Sequence, residues 1–219
     1  HQVMDPIDLA SVGVRAIAFI AVLEATGLAW FGTGCCQDDA DRARLRTWSR
    51  VCAACAIVLV IAHRGMDAGR LAGAWEGIVD PRLQALVWCA APGQSTLTCA
   101  LGLLMLALGQ PRIAAFGGAV VVASFSLTGH TISAEPPHLI QVALVGHVAL
   151  IAFWFGGVTG LLRVEDLAGA SAQFSRRAIR LVPWTAVLGL VLTWGLLPDL
   201  SAFRTTYGAM LIVKVVGFA

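Results

Sequence analysis

The sequence predicts an all-α fold, a polytopic transmembrane bundle of about seven helices, on three observations. The 219 residues are 58% hydrophobic and only 13% charged, with mean hydropathy +0.80, far from the quarter-charged composition of soluble domains. The apolar residues fall into runs long enough to cross a bilayer or nearly so. The links between those runs hold most of the arginines and are rich in Gly, Pro and Asp, residues that end helices. A net charge of +2 leaves no basic patch for nucleic acid. Six cysteines show no secreted disulfide framework, because Cys52, Cys55 and Cys99 lie in apolar runs and Cys35 and Cys36 are adjacent.

The elements follow in order. Met4 is the expected native start, with His1-Gln2-Val3 appended, and the first apolar run is too long for a cleavable signal. Helix 1 is expected over 9–31 and contains Arg15 and Glu24, nine residues apart and therefore on opposite faces. Each needs a partner elsewhere, since a charge at a helix centre costs roughly 2.5–3.5 kcal/mol on insertion. A link rich in arginine and aspartate leads to helix 2 over 48–66. A polar, interfacial segment then spans 67–93 and includes Asp80-Pro81. Helix 3, over 94–108, turns tightly at Gly109-Gln110-Pro111-Arg112 into helix 4, over 113–130, as an antiparallel hairpin.

Helix 5, over 138–162, opens after Pro137 and ends in Gly156-xxx-Gly160, a spacing that admits close approach by another helix. Helix 6, over 177–197, carries Pro183. Helix 7, over 205–219, is still apolar at its last residue and shorter than the roughly 20 residues of a span, so the chain is expected to stop inside a helix. All seven are read as one transmembrane domain over residues 1–219.

Arginine placement sets the orientation. One set of links holds Arg42, Arg44, Arg46, Arg50, Arg112, Arg163, Arg176, Arg177 and Arg180, against Arg64, Arg70, Arg82 and Arg204 on the other. The first set is therefore cytoplasmic and the N-terminus outside. His63, Met66, His130 and His138 then sit at the outer ends of helices 2, 4 and 5. His147 lies roughly 12–14 Å below that surface at 1.5 Å per residue.

The polar groups of these runs are the candidate site. Thr128 to Gly157 holds three of the five histidines, and an imidazole inside an apolar helix must recover its lost hydration from a partner. On helix 2, Cys52, Cys55, Leu59, His63 and Met66 fall within an arc of about 80° at 100° per residue. Thiolate and thioether select Cu(I), and imidazole also suits copper, so the stripe suits passage of a copper ion from outside inwards. Cysteine and methionine also pack membrane interiors without binding anything. On helix 5, His147 shares a face with Ala143, Ile151 and Trp154. His138, nine residues earlier, points away from that face.

Several segments resemble the copper resistance D (CopD) family of bacterial inner-membrane proteins. They are Thr128-Gly129-His130, His147 seven residues before Trp154 with Gly156-Gly157 following, Phe174-Ser175-Arg176, and Thr206-Tyr207-Gly208 with Lys214. The likeness covers residues 120–219 well, and the first half only in general layout. It implies a helical protein of about eight helices that receives periplasmic copper, often from a small CopC-type copper-binding partner, and moves it across the inner membrane. His130 and His147 match the family's histidine positions. His63, Met66, His138, Cys52 and Cys55 join them as metal candidates from helix faces alone.

No P-loop, Ser-His-Asp set or paired carboxylates appear in a usable context, so the chain is read as a copper transport protein and not an enzyme. Two other readings stay open. One is a b-type haem protein in which two of His63, His130 and His147 ligate iron from facing helices. The other is a structural subunit whose histidines bond neighbouring helices.

Overall fold

The computed structural model describes residues 5–128 and 136–196, and among them every regular element is helical. Seven α-helices are seen: α1 (Pro6–Gly34), α2 (Asp39–Ala72), α3 (Pro81–Cys89), α4 (Ala91–Leu108), α5 (Pro111–Ser124), α6 (Pro137–Leu161) and α7 (Leu167–Leu196). Two short 3-10 turns, Trp75–Val79 and Phe125–Leu127, complete them. Five helices, α1, α2, α4, α6 and α7, are long and apolar enough to cross a membrane, and α5 with the turn after it forms a shorter apolar unit. The chain is a multi-pass membrane protein.

Most helices run further than the apolar runs that announce them. α2 begins nine residues before the expected start and continues six beyond the expected end, because charged turns are capped rather than unwound. Asp38 accepts a hydrogen bond from the backbone N–H of Asp41 at 2.9 Å, and its position favours the positive end of the helix dipole. Gly73, in the left-handed region at φ 69°, ends the helix where a side chain would be strained. The segment expected as a polar link over 67–93 is therefore mostly helical. Within it, Asp80 caps α3 by accepting from Arg82 N–H at 2.8 Å, and Pro81 occupies a first-turn position where no N–H is missed.

The other long correction is α7, which starts ten residues before the expected 177. Asp166 accepts from Gly169 N–H at 2.9 Å at its entry, and Pro183 lies inside it. Helix 4 stops as an α-helix at Ser124 and closes in the 3-10 turn, short of the expected 130. The expected helix over 205–219, with Lys214, lies outside the described residues.

α1 is the axis of the bundle. It packs on α2, α4, α5 and α6, while α4 pairs with α5 and α7 lies on α6. Three apolar clusters follow its length: Val22, Ala25 and Ala29 against α2, α4 and α5; Leu23 against Val122, Val148 and Ala152; and Leu28 and Phe31 against Leu45, Phe153 and Phe174. The Gly156-xxx-Gly160 spacing has the expected effect. Gly156 lies against the Gly27 backbone and Gly160 against the Phe31 ring. In the hairpin, Gly102 and Gly117 touch in the same way, each meeting the other's carbonyl oxygen.

The bundle ends gather the arginines as the alternating links demand. At one end Arg44 pairs with Glu165 and donates to the Arg163 carbonyl, and Arg50 donates to the Gly109 carbonyl at 3.3 Å. At this end Asp41, 1% exposed, accepts from the backbone N–H groups of both Glu165 and Asp166 at 3.0–3.1 Å. A buried carboxylate so satisfied ties the start of α2 to the link between α6 and α7.

Candidate metal-entry site

The opposite, arginine-poor end holds a chain of ion pairs across α1 and α2, extended to α4 by a hydrogen bond. Arg70 Nε lies 2.7 Å from Asp8 Oδ1, and its Nη1 lies 3.1 Å from Asp67 Oδ1. Arg64 Nη1 reaches Asp67 Oδ2 at 2.6 Å and its Nε donates to Thr96 Oγ1 at 3.1 Å. These four charged groups border a cavity of about 530 Å³ whose apolar wall includes Leu71, Leu86 and Val87. The spacing of Arg64, Asp67 and Arg70, each about one turn from the next on one helix, lets both arginines share a single carboxylate.

His63 and Met66 belong to this end. They are three residues apart on α2, both half-buried, and His63 feels the charges of Asp67, Arg64, Arg15 and Arg70. Imidazole and thioether at this spacing lie on one face within about one helical turn. Asp67, four residues after His63, extends the same face. Ending helix 2 at residue 66 leaves Asp67 in the link and hides this spacing. The signal that finds it is the i, i+4 pair itself.

The cysteines separate along α2. Cys52 is half-buried, under the electrostatic influence of Glu24 and Arg163, whereas Cys55 is exposed. The stripe therefore runs along the margin of the buried face and not down its middle. Glu24 itself is 7% exposed in the interior. Thr159 Oγ1 donates to its Oε2 at 2.8 Å, and Arg163 Nη2 stands 3.4 Å from its Oε1. Arg163 is held in turn by the Thr159 carbonyl at 2.6 Å and lies 5.2 Å from the centre of the Trp48 ring. The partner that Glu24 needs is thus Arg163, just past the end of α6.

His147 is half-buried on α6, and its ring lies beside α7: a Cβ on Gly189 would meet Cε1 at 3.6 Å. His138, in the first turn of α6, is exposed. His130 lies outside the described residues. The helices carrying His63 and His147 each pack on α1, on different neighbours beyond it, so the two histidines do not come from a directly packed helix pair. Among the described residues no three or more His, Cys, Asp or Glu side chains converge as a metal-binding group. What the structure places along one stretch of α2 is His63, Met66 and Asp67, of which Asp67 borders the cavity. It leaves His147 and Cys52 at separate places along α1.

Residues 6–137, more than half of the chain, match the family model described as copper resistance protein D-like, N-terminal domain. Searches of curated proteins and of solved structures returned no match.

Proposed function

The chain belongs to the copper resistance protein D-like family, and on that premise we propose that it carries copper ions across the bacterial inner membrane, from periplasm to cytoplasm. The observation that carries this reading is the spacing of His63 and Met66, three residues apart and both half-buried on α2, followed by Asp67 on the border of the cavity. An imidazole with a thioether offers copper the softer donors that calcium and magnesium do not prefer. The arginine-poor end is the periplasmic one on the charge rule, so the face opens where copper would arrive.

His130 and His147 complete the entry set in this reading, with His138 as a peripheral first contact. Cys52 is the next soft donor inwards, close to Glu24, and Cys55 is the least suited because it faces outwards. A CopC-type periplasmic protein is the proposed donor of the ion. The chain does this work as a transporter and not as an enzyme.

Transport is tested with the full chain in liposomes, oriented with the arginine-poor end outwards and loaded with a luminal copper indicator. Copper added outside enters with the wild-type protein, and entry falls about tenfold or more in a His63→Ala/Met66→Ala variant. Entry no faster than in protein-free liposomes overturns the proposal.

A further inference from the structure

The cytoplasmic end contains a second cavity, of about 610 Å³, between the last turns of α1 and α4 and the first turns of α2 and α5. Leu28, Leu106 and Ala114 are buried behind it, and its accessible apolar wall is made by Ala43, Pro111 and Ala115. Its rim carries three arginines, Arg42, Arg46 and Arg112, against one carboxylate, Asp39. Arg42 is spent internally: Nη1 pairs with Asp39 at 2.7 Å and Nε donates to the Cys36 carbonyl at 3.0 Å. Asp39 is thereby neutralised. Arg46 and Arg112 are exposed and make no ion pair or hydrogen bond among the described residues.

The charge rule accounts for arginines at this end of the bundle, but not for two uncompensated guanidinium groups on the rim of one apolar-walled hollow. Arg112 sits in the first turn of α5, where the helix dipole already places positive charge, and no side chain caps that helix. An anion over this rim would satisfy the α5 N-terminus and both guanidinium groups together. The accessible wall beside them, Ala43, Pro111 and Ala115, is apolar, and inorganic phosphate alone would leave it open to water. The geometry points to a binding site for an anionic phospholipid: its phosphodiester lies between Arg46 and Arg112, and the start of an acyl chain covers Ala43, Pro111 and Ala115. Such a site lies at headgroup depth on the cytoplasmic leaflet, where anionic lipids meet basic clefts between helices. It is independent of copper and stands or falls without it.

The test is native mass spectrometry of the full chain in detergent micelles, titrated with phosphatidylglycerol or with phosphatidylcholine of the same chains. Phosphatidylglycerol is expected to bind about tenfold tighter or more. At about 5-fold for each arginine, Arg46→Gln/Arg112→Gln weakens it roughly 30-fold, while Arg82→Gln, exposed at the other end of the bundle, leaves it unchanged. If the double variant does not fold, each single variant carries its own 5-fold loss. Inorganic phosphate at tens of millimolar leaves the lipid bound. Equal affinity for the two lipids, full retention by the arginine variants, an equal loss in Arg82→Gln, or displacement by inorganic phosphate each overturns the site as a lipid site.

Discussion

Gly27 of α1 and Gly156 of α6 meet backbone to backbone, so that a Cβ built on Gly27 would stand 2.7 Å from the Gly156 Cα. No side chain fits between them. The contact brings α6 close enough for Thr159 to donate to Glu24 Oε2 and for Arg163 to stand 3.4 Å from its Oε1. Substituting either glycine by Ala must push the two helices apart. A loss of about 1–3 kcal/mol is expected, read as a lower midpoint in thermal unfolding of the detergent-solubilised protein. A midpoint unchanged in both variants would show that the helices are not locked at this point.

Removing one member of the buried pair is expected to cost more than removing both. Arg163→Leu strands the Glu24 carboxylate, at a cost on the order of 3–5 kcal/mol, whereas Arg163→Leu with Glu24→Leu recovers most of it. Thermal melts of the two single variants and the double variant measure the coupling. Additive losses would mean that the two groups do not depend on one another.

The entry site makes a prediction about stoichiometry. Copper bound by purified protein should fall when His63 and Met66 are both replaced by Ala, and separately when His130 and His147 are. Asp67→Asn should weaken capture less, because it removes charge near the site while leaving the imidazole and thioether in place. Metal content after gel filtration, by elemental analysis, distinguishes these variants. Retention of full stoichiometry by both double variants would place the ion elsewhere.

The vicinal thiols at the other end should be inert. Burial, reinforced by Asp41 and Cys35, pushes the Cys36 thiol up to about 11, so at pH 7 only about one molecule in 10⁴ carries the thiolate. Alkylation of Cys36 by iodoacetamide at pH 7 should therefore lag well behind that of Cys89, exposed at the end of α3 outside the spans, as peptide mass spectrometry can follow. The sign of the linkage follows. The folded protein holds this proton where the unfolded chain releases it, so Cys36 draws stability away as pH rises from about 9 towards 11 and has no effect below that window. Cys36→Ser should flatten that part of the stability profile.

Spans were legible in the sequence because hydropathy is a local property, and so was the role of Gly156-xxx-Gly160, because small residues at helical spacing expose backbone wherever the helix packs. Helix ends were not. The first turns of α2 are charged from Asp39 to Arg46 and still helical, held by the Asp38 cap and the Asp41 contact to a link 124 residues away. The need of Glu24 for a partner could be stated from its burial alone. That the partner is Arg163 depends on which helices adjoin, which no local pattern encodes. Asp67 was missed for the same kind of reason, since a helix ended at Met66 separates it from His63. The family resemblance rested on motifs after residue 120, whereas the family match covers 6–137, where the likeness seemed one of layout.

Glu24 precedes Arg163 by 139 residues in the chain. At about 5–20 residues per second, a ribosome needs roughly 7–28 seconds to deliver the guanidinium after the carboxylate has been made. For that interval α1 carries a lone acid without its cation, and the acid finds its buried place only when α6 arrives. Assembly of the bundle is therefore timed by its first helix waiting for its sixth.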